Sequence, residues 1–170
     1  MIPRFIFLSQ LVLGYAVWLL CFRAYLWPRL RAMDAAAAVR AIAALHSFRF
    51  FGLVFMMPGL VGPAVPSSFA VPAAWGDFAA AALAMMALMT FRAGPLFWLF
   101  VAGFNVVGAA DLLMNYYRAT RVGLPEVSGQ LGLTYAIPIL YVPILMITHV
   151  AAFVVLVRTW KTAETHLETE

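Results

Sequence analysis

Five apolar runs, at about 5–22, 41–60, 76–91, 95–117 and 133–157, take up most of this 170-residue chain and constrain it more than any motif does. A helix rises about 1.5 Å per residue, so about 20 apolar residues cross the roughly 30 Å hydrocarbon core of a bilayer. Backbone N–H and C=O groups find no water there, and a helix lets each run satisfy its own. The pattern predicts an all-α membrane protein, a bundle of five transmembrane helices in one domain over 1–170. Only 11% of residues are charged and 65% are hydrophobic, against about 25% charged in soluble domains. A soluble fold is excluded, and five spans leave no room for a second domain.

The first run follows Arg4, is longer than a typical signal-peptide core and lacks a small-x-small cleavage site, so it reads as a retained helix. Residues 23–40 hold Arg23, Arg29, Arg31 and Arg40 around Trp27 and Pro28, the composition of an interfacial loop. Asp34, before four alanines, is the expected N-cap of the second helix. Pro58, Gly59, Gly62, Pro63 and Pro66 end that helix, and Pro72, Trp75 and Gly76 lead into the third. Arg92, Gly94 and Pro95 form the next turn, and 123–132 is a polar loop. Pro138 and Pro143 in the last run are tolerable where neighbours satisfy freed carbonyls. The polar tail at 161–170, with Glu164, His166, Glu168 and Glu170, is expected to be solvated and poorly ordered.

Loop charge sets the expected orientation. Arg4, Arg118 and Arg121 fall on the N-terminal side, against Arg23, Arg29, Arg31, Arg40, Arg92, Arg158 and Lys161 on the other. The basic excess belongs in the cytoplasm, which places the N-terminus outside and the C-terminus in the cytoplasm. Because the basic residues are scattered at the ends of apolar runs, the net charge of +4 is a topology signal and predicts no nucleic-acid partner. Cys21 is the only cysteine, which excludes an internal disulfide.

An ionisable side chain inside a span is costly unless paired or hydrated, so each one is a candidate functional group. His46, Arg49, Asp77, Asp111 and His149 qualify, with Asn105 as an uncharged companion. Counting from the span ends puts His46, Asn105 and His149 in the middle or inner half, with Arg49, Asp77 and Asp111 in an outer layer. His46 and Arg49 share a helix face with Gly52, and Asn105 and Asp111 flank Gly108. Arg49 is expected to pair with Asp111 or Asp77, since an unpaired guanidinium is the costliest of the set. The structural reading is an ion pair that fixes helix order; the functional reading is a ligand, substrate or proton site. For Asp77 alone, an interfacial N-cap beside Gly76 is the simpler expectation.

His46 and His149, at similar depth on different spans, also raise the question of a b-type haem held by two axial imidazoles, with Arg49 near a propionate. No CxxCH or HExxH is present, so no metal site is assigned. No span carries a lysine for a retinal Schiff base, and GxSxG, Walker A and GxGxxG are absent. Met85, Met86 and Met89 read as packing side chains.

The combination of His46-x-x-Arg49-x-x-Gly52, then Ser68-Phe69-Ala70-x-Pro72 leading to Gly76-Asp77, then Asn105-x-x-Gly108-x-x-Asp111 resembles uncharacterised small bacterial polytopic integral membrane proteins. The likeness extends over about three-quarters of the chain. It implies a bacterial inner-membrane setting and carries no known activity.

The leading expectation is therefore a non-enzymatic bundle with an interior polar site built from Arg49, Asp77, Asn105 and Asp111. It would bind a small or lipid-like ligand, or serve as an accessory subunit of a larger membrane complex. Membrane lipid is the expected partner, and glycine-rich faces permit a homo-oligomer. The first alternative is electron transfer through haem on His46 and His149. The second is a proton-coupled carrier or membrane enzyme for an apolar substrate, with Asp111 or His46 as the proton group.

Overall fold

A computed structural model describes residues 2–167, with side chains as far as residue 160. Among these residues the structure is all helical, with five helices long and apolar enough to cross a membrane. They are α1 (Ile2–Ala32), α2 (Ala35–Met56), α3 (Ser67–Met89), α4 (Pro95–Arg121) and α5, whose apolar part is Ile137–Trp160 and whose backbone stays helical to Leu167. Side chains of the predicted polar tail lie outside the described residues.

Two boundaries differ from the expectation, each for a physical reason. The arginine-bearing stretch after residue 22 is not a loop: α1 continues through it to Ala32. It does so by widening one turn, in which the N–H of Trp27 bonds the Phe22 carbonyl five residues back. A proline ring collides with the carbonyl four residues before it, and the wider turn before Pro28 relieves that contact. The same device recurs in α5, where Val142 N–H bonds the Ile137 carbonyl just before Pro143. In this second wide turn the Leu140 carbonyl accepts the Trp18 indole N–H at 2.7 Å.

The third helix starts at Ser67, well before Gly76. Pro72 lies inside it and forfeits the one bond its missing N–H would have made. Burial of the flanking Phe69, Ala70, Ala73 and Ala74 offsets that loss. The Asp34 N-cap of α2 is as expected, its carboxylate accepting the Ala37 N–H at 2.8 Å.

The bundle is organised around α3. Its buried face is a ladder of Ala70, Ala73, Ala74, Ala80, Ala81, Ala84 and Ala87, broken only by Asp77. Small side chains let backbones approach closely, and α3 makes its most extensive contacts with α4 and with the second half of α2. That half, Phe48–Met56, is a 3-10 helix. Nine residues is long for this conformation, which has three residues per turn and stacks every third side chain. Arg49, Gly52 and Phe55 consequently lie in one row against α3, continuing the face of His46.

Two apolar cores result. One joins Phe55, Phe69, Ala73, Leu124, Leu131 and Ile137 at the end holding the N-terminus. The other joins Val39, Ile42, Ala84, Phe97, Phe104 and Ala152 at the opposite end. Along α2, α3 and α5 the buried polar residues fall between the two. Peripheral α1 buries only Phe7 and Gly14; Gly14 sits so tightly on the Ile139 carbonyl that no side chain fits there.

Candidate functional site

Arg49 is fully buried at the centre of the polar layer. The 3-10 turn aims it across α3, and its guanidinium uses three separate donors. Nε donates to Asp77 Oδ1 on α3 at 2.8 Å, and Nη2 donates to Asp111 Oδ2 on α4 at 2.8 Å. Nη1 lies 3.2 Å from His149 Nε2 on α5. One side chain thus ties α2 to three other helices. Sequence reasoning expected one carboxylate partner; the structure supplies both.

The tautomer of His149 follows from this geometry. A guanidinium only donates, so His149 Nε2 is the acceptor and Nδ1 carries the proton. That proton goes to Asn105 Oδ1 at 3.0 Å, while the Asn105 amide donates to the Val101 carbonyl at 2.8 Å. Every polar atom of this branch is matched. His46 is matched in part: its Nε2 lies 3.0 Å from Thr148 Oγ1, and its Nδ1 is buried with no hydrogen-bond partner.

Asp77 is not a helix N-cap. It lies ten residues beyond the start of α3 and is 7% exposed. The N-cap expectation placed it at the start of the third helix, and the extension of α3 back to Ser67 moves it inside. On α4, Asp111 also accepts a bond from Asn115 Nδ2 at 3.1 Å, and Arg118 Nη1 lies 3.4 Å from Asn115 Oδ1. Asn115 was missed from sequence, although its i, i+4 spacing from Asp111 is the signal that finds it. Thr148 had no such signal, since its role depends on α5 facing α2.

Three glycines make room for these charges. A Cβ on Gly52 would stand 2.6 Å from the Cβ of Asp77, and one on Gly76 would overlap the Asp111 carboxylate. A Cβ on Gly108 would fall 2.7 Å from His149 Nε2 and press on the Arg49 guanidinium. Each carboxylate therefore gives one oxygen to Arg49 and lays its other flank on a glycine of a neighbouring helix.

The two histidines do not suit a haem. Axial ligation puts the iron and the porphyrin plane between the imidazoles. Here the His46 and His149 rings pack directly on each other, centroids 4.1 Å apart at 51°, and both nitrogens of His149 are engaged by Arg49 and Asn105. Phe104, with its centroid 5.3 Å from that of His46, packs on the same pair. Among the described residues no group of three or more His, Cys, Asp or Glu side chains is placed to hold a metal ion.

Beside the polar layer, toward the end that holds the N-terminus, lies a cavity of about 100 Å³. Its walls include Phe7, Phe55, Phe69, Leu131 and Ile137, and its polar lining comes from Asp77, Asn115, Tyr116 and Thr120. Tyr116 is held by a 2.7 Å bond between its hydroxyl and that of Tyr15 on α1. Asp77 thus joins the ion-pair cluster to the cavity, and its Oδ1 is the oxygen committed to Arg49.

No curated protein and no solved structure matches the chain. Residues 6–157, all five helices in nearly their full length, match the family described as a domain of unknown function, DUF8737. The chain belongs to that family.

Proposed function

We propose that this protein is a polytopic integral membrane protein of the bacterial inner membrane that binds a slim, apolar ligand beside its buried ion-pair cluster. The observation that carries the reading is the cavity that meets Asp77: apolar walls with a carboxylate on one side. Pockets that bind small molecules are mostly apolar with a few polar groups that orient the ligand. A cavity of this size suits a few ordered waters or a narrow hydrocarbon group. The free valence of the Asp77 carboxylate calls for a hydrogen-bond donor, so a chain ending in a hydroxyl or ammonium is the complementary chemistry.

The cluster is the rigid wall of that site. Arg49 holds Asp77 and Asp111 in fixed geometry, and Gly52 and Gly76 press on the two carboxylates from the neighbouring helices. In the same reading the N-terminus is outside and the C-terminus cytoplasmic, on the arginine excess of the opposite end. The 3.3 Å pair between Arg4 and Glu126 supports grouping the N-terminus with the 124–135 connection at one end of the bundle.

Native mass spectrometry of the detergent-solubilised protein with added decanol, decylamine or decanoate tests the site. Retention of the alcohol or amine, and its loss when Ala119, an α4 residue that lines the cavity, is replaced in Ala119→Phe, is the expected result. Equal retention by wild type and by a folded Ala119→Phe variant overturns it.

A further inference from the structure

The α1 helix closes one side of the Asp77 cavity with Phe7, Leu8 and Leu11. Leu8 lines the cavity and is also 40% exposed, so at this point the wall between the cavity and the outside is one side chain thick. The helix is held unevenly. It lies chiefly against α5 and the 124–135 connection. On that side Gly14 is seated on the Ile139 carbonyl, the Trp18 indole donates to the Leu140 carbonyl at 2.7 Å, and the Tyr135 hydroxyl donates to Gln10 Oε1 at 2.7 Å. Toward α4, the one hydrogen bond among the described residues joins the Tyr15 and Tyr116 hydroxyls at 2.7 Å. Both tyrosines are half-buried, and only Tyr116 lines the cavity.

We infer that the seam between α1 and α4 is a side gate through which the apolar ligand passes between the bilayer and the Asp77 cavity, latched by the Tyr15–Tyr116 hydroxyl pair. An apolar ligand partitions into the bilayer in preference to water, so a lateral route through a wall of leucines is the direct one. Hydroxyls turned toward hydrocarbon without partners are penalised, which makes the closed seam the resting state. The net worth of one hydrogen bond is small, so the seam opens without another part of the fold giving way. The ties to α5 and the connection hold the far flank of α1 while the near flank swings. A ligand ending in a hydroxyl can bond each tyrosine as it passes, and the same end suits the Asp77 carboxylate. The inference rests on the cavity being the binding site and adds how that site is entered.

The test loads full-length protein with decanol in phosphatidylcholine nanodiscs, adds excess perdeuterated decanol, and follows exchange of the bound alcohol by native mass spectrometry. Tyr15→Phe, outside the cavity lining, is expected to leave occupancy unchanged and to speed exchange about two- to tenfold, the net worth of one hydrogen bond. Tyr135→Phe, which breaks a tie on the opposite flank of α1, exchanges at the wild-type rate. On a Cys21→Ala background, bridging Tyr15→Cys and Tyr116→Cys with a short bismaleimide slows exchange relative to the same protein before bridging. Exchange that is equal in wild type and Tyr15→Phe, or that the bridge leaves unaltered, overturns the gate while the site stands. Equal acceleration in Tyr15→Phe and Tyr135→Phe means a general loosening of α1 and overturns it too. Protein that never takes up decanol overturns the binding reading itself, and the gate with it.

Discussion

Asp77 lies against Gly52 of the neighbouring helix so closely that a β-carbon at position 52 would stand 2.6 Å from that of Asp77. The 3-10 row that presents Arg49 to Asp77 also presents Gly52 beneath it, so the salt bridge and the close helix approach come from one backbone feature. Gly52→Ala, Gly76→Ala and Gly108→Ala are each expected to destabilise the protein by about 1–3 kcal/mol, the range for forced overpacking. Gly103 is the internal control, since its nearest neighbour would be Leu83 Cδ2 at 3.7 Å, an ordinary contact. Thermal unfolding in detergent should leave Gly103→Ala at or above wild type with the other three below it; a uniform response across the four would refute the packing account.

Removing Arg49 leaves two carboxylates in the interior with their shared cation gone. Arg49→Ala is expected to cost about 3–5 kcal/mol, as for other broken buried pairs. The triple variant Arg49→Ala, Asp77→Asn, Asp111→Asn removes the orphaned charges and should recover much of that loss. A triple variant no more stable than the single one would show that Arg49 acts through shape and not through charge. Arg49→Lys is not expected to rescue, because an ammonium cannot reach Asp77, Asp111 and His149 with one planar fork.

The two buried histidines should differ in consequence. His149 accepts from Arg49 and donates to Asn105, whereas His46 has one bond, to Thr148, and an unmatched Nδ1. His149→Leu strands two partners and is expected to be the more damaging; His46→Leu loses about 0.5–1.5 kcal/mol, the net worth of one hydrogen bond. The contact between their rings also predicts no Soret band in protein purified from haem-replete cells. A band abolished by both substitutions would contradict the ring geometry.

Orientation is testable with the single native cysteine removed as Cys21→Ala. On that background Glu126→Cys should react with a membrane-impermeant maleimide in intact cells, and Arg92→Cys only after lysis. The opposite labelling pattern would invert the topology and put the arginine-rich end outside.

The polar site was largely legible because burial of charge in an apolar run is conspicuous. Arg49, Asp77, Asp111, Asn105 and His149 stand out on that ground alone, and the need to neutralise Arg49 pointed to a carboxylate partner. The doubled partnership was not legible, because it depends on α3 and α4 both reaching the same guanidinium. The direct packing of His46 on His149 was hidden for a related reason. Equal depth on two helices permits axial ligation, but the distance between the helices decides it, and here the imidazoles touch. The start of α3 was obscured by Pro72, which breaks an isolated helix but costs a packed one a single bond.

By itself, then, the sequence determined the all-helical class, the five apolar helices, the Asp34 cap and the buried ionisable residues, because hydrophobic run length, backbone satisfaction and the cost of isolated charge are local properties of the chain. Tertiary structure alone decided the 3-10 winding of Phe48–Met56, the three-helix embrace of Arg49, the packing of His46 on His149 and the cavity beside Asp77. Each of these depends on how near one helix lies to another, and that distance is set by the alanine face of α3 and the glycines at positions 52, 76 and 108 acting together.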